Sequence, residues 1–135
     1  SFESLASDQI QRIAAGNPKT VPAGRYAEEV FHYYNLKSVI TEKLIFTGNV
    51  RQALDYVVRE EVDAGVVYAT DAAMEKKRVR IVATAPTVSH KPATYPIAIV
   101  KGTKRKSSAT AFIKILQSEQ GNIILQKYGF QAITR

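Results

Sequence analysis

Asp71, Ser89 and His90 supply the three side-chain types of a hydrolytic triad. No nucleophile-elbow pattern surrounds any serine, and His90 falls in a proline-rich connector rather than at a strand end, so the spacing does not support nucleophilic catalysis. His32 has no second histidine three or four residues away, so a metal site on that helix lacks its partner ligand. Glu28–Glu29 and Glu60–Glu61 are adjacent pairs, and adjacent residues on a helix point in different directions, so they read as solvated surface rather than as an acid/base pair. Glu28 and Glu29 also lie near an expected helix start, where negative charge is favourable.

Two further stretches are candidates for phosphate chemistry. "GNPKT" (16–20) lacks the second glycine and the Gly-Lys-Ser/Thr end that a phosphate-cradling loop requires. "KGTKRK" (101–106) has four cations in six residues, but no interleaved aromatics and no helix-turn-helix pattern, so it reads as a solvated loop and not as a nucleic-acid surface. What remains is main-chain chemistry. A helix start offers unpaired N–H groups and a partial positive charge. Two such starts follow apolar runs: Pro22-Ala23-Gly24 and Asn49-Val50. Proline suits the first helical position, and Asn49 suits an N-cap. Ala23 and Gly24 are small enough to let an anion approach the chain. Tyr68, at the end of a third apolar run, adds a hydroxyl. Together these residues point to an anion site built from neutral donors.

The elements that position them alternate in type. Strands are expected at 12–16, 43–46, 64–68, 79–84 and 95–100. Helices are expected at 24–35, from 50 onward, at 71–77, at 108–117 and at 119–128, with Gly129 as a stop. Val50, Ala53, Leu54, Val57 and Val58 follow one helical stripe. Residues 86–96, with three prolines, form a connector. Alternation of this kind predicts an α/β fold with a mainly parallel sheet flanked by helices, in which ligands bind where strands end and helices begin.

Composition sets wider bounds. At 135 residues the chain is long enough for one ordinary domain, or for one full lobe plus part of another, and its 45% apolar content is that of a globular chain. There is no cysteine, which removes disulfides, thiol catalysis and thiolate metal sites. No apolar run is long enough for a membrane-spanning helix. The net charge of +7 is unevenly placed: residues 1–84 carry 11 basic and 11 acidic side chains, whereas residues 85–135 carry 8 basic side chains and only Glu119 as an acid. Such asymmetry is the pattern of a nucleic-acid or membrane surface, or of a segment that belongs beside an acidic partner outside this chain. The opening "SFESLASDQ" reads as the interior of a longer protein or as a processed start.

Six segments then appear in order: "IAAGNPKTVPAGRYAEEV", "GNVRQALDYV", "VDAGVVYATDA", "VRIVATAP", "SHKPATYPIAIVKGT" and "QKYGF". On these segments, from about residue 12 to residue 130, the chain closely resembles the molybdate/tungstate-binding solute-binding proteins of ABC transporters. The resemblance implies a periplasmic binding protein-like (type II) clamp that holds a tetrahedral oxyanion between two lobes, with hydrogen-bond donors only and no direct protein ligand to the metal. It implies that the second lobe donates the N–H of Ala23, the N–H of Val50 and the hydroxyl of Tyr68. It also implies two serines from the first lobe. No motif here matches them, and neither Ser4 nor Ser7 is a substitute.

By that resemblance, residues 1–11 are an inter-lobe lead-in, 12–85 a complete second lobe, and 86–135 the return segment of an incomplete first lobe. The chain then reads as a C-terminal fragment whose binding is weak and whose return segment is able to pair with another copy. The implied protein is not an enzyme and has no cofactor. Its ligand is molybdate or tungstate, its partner a membrane permease, and its location periplasmic or extracellular and lipid-anchored. A donor-only site suits doubly charged, unprotonated anions and disfavours monohydrogen phosphate, whose proton needs an acceptor. Two alternatives share the fold: the ligand-sensing domain of a LysR-type regulator, and an enzyme acting on a small anion, for which no acid, base or nucleophile is evident.

Overall fold

The computed structural model describes residues 1–131; the last four residues of the expected return segment lie outside the described part. Three strands form a parallel sheet: β1 (Ile13–Gly16), β2 (Leu44–Thr47) and β3 (Ala64–Val66), in the order β2-β1-β3. The register pairs Ile13 with Leu44 and Gly16 with Thr47 on one side, and Ile13 with Ala64 and Ala15 with Val66 on the other. Between the strands run α1 (Pro22–Tyr33), α2 (Lys37–Ile40) and α3 (Val50–Val58), and α4 (Ala69–Met74) follows β3.

Central β1 is buried at every position, as expected of a parallel strand covered on both faces. Successive side chains point to opposite sides. Ile13 joins Ala27, Phe31, Leu36 and Ile40 of the α1–α2 layer. Ala14 joins Ala53 of α3 and Val62. The sheet is therefore one layer between two helical layers, and the α3 stripe read from the sequence is the face that meets it. The helices stop by local devices. Asn35 after α1 and Glu60 after α3 take left-handed backbone conformations, with φ of 54° and 59°. Leu36 N–H then reaches Phe31 O at 2.8 Å, and Glu61 N–H reaches Tyr56 O at 2.9 Å, closing each helix in a Schellman-type turn.

The chain divides into two compact units, Ser1–Ala93 and Thr94–Arg135. The first holds the sheet and its helices. The second contains α5 (Lys106–Gln117) and α6 (Glu119–Lys127), with Gly129 in the stop conformation at φ 85°. Gly121 lets the two helices meet closely, since a Cβ there would lie 2.2 Å from Ile115 O. Apolar side chains of this unit remain exposed, among them Phe112, Ile115, Ile123 and Ile124.

Two expected strands are corrected. Residues 79–84 and 95–100 are not strands, and β3 ends at Val66 rather than at residue 68. A strand is defined by its pairing, and neither stretch finds a partner edge among the described residues. Ile81, Val82, Ile97 and Val100 accordingly stay exposed. The expected helical turn at 71–77 begins earlier, at Ala69, and ends at Met74.

Candidate oxyanion site

Because the strands are parallel, all three end on one edge of the sheet. Ala23, Val50 and Tyr68 each follow one of those ends: Ala23 after central β1, Val50 after β2 on one flank and Tyr68 after β3 on the other. Ala23 is the second residue of α1, just after Pro22, and is buried at 6% exposure. Val21 O accepts from Gly24 N–H at 3.0 Å and from Arg25 N–H at 3.3 Å. Proline has no N–H. The Ala23 N–H is thus the one first-turn donor of α1 without an acceptor among the described residues.

At α3, Asn49 caps the helix as its type suggested, its Oδ1 accepting from Gln52 N–H at 2.9 Å. Gln52 reaches back, its Oε1 accepting from Gly48 N–H at 2.9 Å. This reciprocal arrangement resembles a capping box. It leaves the N–H groups of Val50 and Arg51 without acceptors among the described residues. Tyr68 is half-buried and is the residue preceding α4. Both longer helices direct a partial positive charge at this edge, and each carries an arginine in its first turn, Arg25 in α1 and Arg51 in α3.

The small residue at position 24 has a different cause from the one its size suggests. A Cβ on Gly24 would lie 2.1 Å from Gly16 O, so glycine is required for α1 to sit directly over the end of β1. Its role is packing, and it acts on the site by fixing where Ala23 lies.

The side chains considered for catalysis are engaged elsewhere. Ser89 is buried and its hydroxyl donates to Pro86 O at 2.6 Å. His90 has Nδ1 2.8 Å from Lys91 O and stacks edge-on against Tyr26 at 6.0 Å between ring centroids. Glu29 accepts from Lys91 N–H at 2.6 Å, which holds the connector against α1. Glu28 pairs with Lys37 at 2.7 Å on the surface. His32 is exposed, 3.4 Å from Lys37 Nζ. No cluster of histidine and carboxylate groups fit for a metal ion occurs among the described residues, and no described helix is long and apolar enough to cross a membrane.

Two residues that hold the sheet, one at the site end and one at the opposite end, had no strong signal in the sequence. Asn17 donates its N–H to Thr47 O at 2.9 Å and organises the turn before α1. Asp63 anchors the start of the sheet, its Oδ2 accepting from Gln11 and Arg12 N–H groups at 2.8 Å each. The Arg12 and then the Gln11 N–H hold its carboxyl below the usual aspartate range.

Uncommitted helix N–H groups along one edge of a parallel sheet are able to accept a small anion. The chain belongs to the bacterial extracellular solute-binding protein family, which it matches over residues 1–131. It is 43% identical over 132 residues to a Bacillus subtilis protein, YvgL, named as a candidate ABC transporter substrate-binding lipoprotein, covering 98% of this chain and 50% of that protein. It is 42% identical over 120 residues to the molybdate-binding protein ModA of Haemophilus influenzae, covering 89% of this chain and 46% of the relative. Among solved structures, it superposes with a TM-score of 0.84 and 32% identity on the substrate-binding domain of a candidate molybdenum ABC transporter from Clostridium difficile, covering 99% of this chain and 58% of that one. The chain therefore spans about half the length of the curated relatives it matches. The family resemblance and the α/β binding-protein fold expected from the sequence are both borne out.

Proposed function

We propose that this chain carries one wall of an oxyanion cleft in the substrate-binding component of an ABC importer, with molybdate or tungstate as ligand. The observation that carries the reading is the buried Ala23, whose N–H has no acceptor among the described residues, at the central strand exit of a chain 42% identical to a molybdate-binding protein. Ala23 and Val50 donate main-chain N–H groups and Tyr68 its hydroxyl. Binding is the whole task, without catalysis or a cofactor. The permease partner and a periplasmic or lipid-anchored location follow from the same reading, and no observation favours the regulator.

Residues 12–85 act as one lobe, and residues 86–135 belong with the lobe that bears the remaining donors. A division of the chain into two units supports this reading in outline, but the boundary falls after Ala93 rather than after residue 85, because Lys91 and His90 are held to α1 through Glu29 and Tyr26. The exposed apolar faces of α5 and α6 support it as well. A second copy is the other occupant able to cover those faces, and light scattering across concentrations reports it. With one wall, affinity falls well below that of a two-lobed relative, because each hydrogen bond to a charged group contributes about 1.5–3 kcal/mol.

The test is a titration of the 15N-labelled chain with sodium molybdate, followed at the backbone amides. Molybdate shifts the Ala23 and Val50 signals in one saturable process, and Tyr68→Phe weakens that process roughly tenfold or more. Phosphate at equal concentration leaves the signals in place. Unmoved Ala23 and Val50 at millimolar molybdate, or an equal response to phosphate, would refute the assignment.

A further inference from the structure

Thr47 ends β2 and is 2% exposed. Its hydroxyl donates to Asn49 O at 2.9 Å, with Ala15 O of β1 at 3.3 Å as the longer alternative. Its carbonyl accepts from Asn17 N–H at 2.9 Å. Asn17 sets the course of the chain into α1: its Oδ1 accepts from Lys19 N–H at 2.9 Å, and its carbonyl accepts from Thr20 at 3.1 Å and from Val21 at 2.8 Å. Val21 is the N-cap of α1, two residues before Ala23, and Asn49 is the N-cap of α3, directly before Val50. One buried residue is thus tied through its main chain to the turn that presents Ala23, and through its side chain to the turn that presents Val50.

A hydroxyl at this depth carries a desolvation cost that its hydrogen bonds offset. Valine has the same branched shape and no such cost, so filling the space does not by itself require threonine. We infer that Thr47 is a positioning residue for the oxyanion: its hydroxyl fixes the spacing between the Ala23 and Val50 donors without touching the anion. The inference rests on the cleft reading given above. A small tetrahedral ion held by two main-chain donors tolerates displacements of only about 0.5 Å between them, and the two helices carrying these donors are linked at their starts through Thr47.

The test compares wild type, Thr47→Val and Thr47→Ser as labelled 135-residue chains. Without ligand, Thr47→Val shifts the amide signals of both turns and speeds exchange of Asn17 N–H roughly tenfold, while Thr47→Ser keeps the wild-type pattern. With molybdate, Thr47→Val raises the dissociation constant about tenfold or more at a nearly unchanged urea midpoint, and Thr47→Ser restores it. Should valine prevent folding, Thr47→Ser against Thr47→Ala gives the same comparison, since these differ only in the hydroxyl. Wild-type turn signals and wild-type affinity in Thr47→Val overturn the inference, as does a loss of affinity that merely follows a loss of stability in both variants. If wild-type Ala23 and Val50 ignore molybdate, the cleft reading fails, whereas the ligand-free comparison still decides whether Thr47 links the turns.

Discussion

Replacing Gly24 by alanine is the sharpest test of how α1 is held. The new Cβ would stand 2.1 Å from Gly16 O, 2.6 Å from Gly16 C and 2.8 Å from Asn17 C. All three are main-chain atoms, so no rotamer change relieves the contact. Reaching an ordinary separation of 3.4 Å from the oxygen requires a shift of 3.4 − 2.1 = 1.3 Å, and the first turn of α1 must supply it. Alanine gains helix propensity of about 0.8–1.0 kcal/mol over glycine, but overpacking of this kind costs about 1–3 kcal/mol or more. A fixed main-chain clash belongs at the upper end of that range, so the net expectation is a loss of about 2 kcal/mol. Urea unfolding followed by circular dichroism measures it as a lower midpoint at unchanged slope. Gly48→Ala is the internal control, because a Cβ there meets only Gln52 Oε1 at 3.7 Å, and its midpoint stays near wild type. Equal midpoints for Gly24→Ala and Gly48→Ala would show that the helix start is not seated on β1 as described.

Two further outcomes follow from the same contacts. Asn49→Ala removes the acceptor of Gln52 N–H and costs about 1 kcal/mol by urea unfolding; an unchanged midpoint refutes the cap. Asp63 has its carboxyl held below the ordinary value of 3.8 by the Arg12 and Gln11 N–H groups, so the ionised form is favoured in the folded chain. The stability it contributes is present above the unfolded-state value near 3.8 and is lost as pH falls through the lower folded-state value. Asp63→Asn therefore reduces the difference in stability between neutral and acid pH, measured as unfolding midpoints from pH 6 down to about pH 2; an acid limb as steep as that of wild type shows that Asp63 does not carry this dependence.

Much of the sheet was legible because its signals are local. Apolar runs ending in Gly16 and Phe46, the stripe from Val50 to Val58 and the N-cap at Asn49 each encode their element within a few residues, and β1, β2, α3 and the cap stand within one residue of where the residues place them. The failures share a cause. "VRIVAT" and "YPIAIV" have strand composition, but a strand depends on a neighbour supplied from elsewhere, and composition carries no record of whether one is present. The site was legible in its donors and not in their support. Thr47 looks like any strand residue, and Asn17 like any turn residue. Their importance lies in one Asn17 N–H reaching across to Thr47 O, a contact between positions thirty residues apart.

Val21-Pro22-Ala23-Gly24 gathers these demands into four positions. Val21 carries the carbonyl that occupies the N–H groups of Gly24 and Arg25. Pro22 begins the helix and contributes no competing donor. Gly24 is fixed by the carbonyl of Gly16 beneath it. Ala23 is left as the one first-turn donor of α1 that is free among the described residues, and at 6% exposure it has little room for a larger side chain. The charge distribution fits the same logic. Residues 1–84 balance 11 basic against 11 acidic side chains, and the cationic excess lies beyond them. On the proposed reading the direct donors at this edge are N–H dipoles, while Arg25 and Arg51 stand in the same first turns of α1 and α3. Such dipoles discriminate by geometry and by the absence of an acceptor for a proton, so a run without a single catalytic side chain is the chemically informative part of the chain.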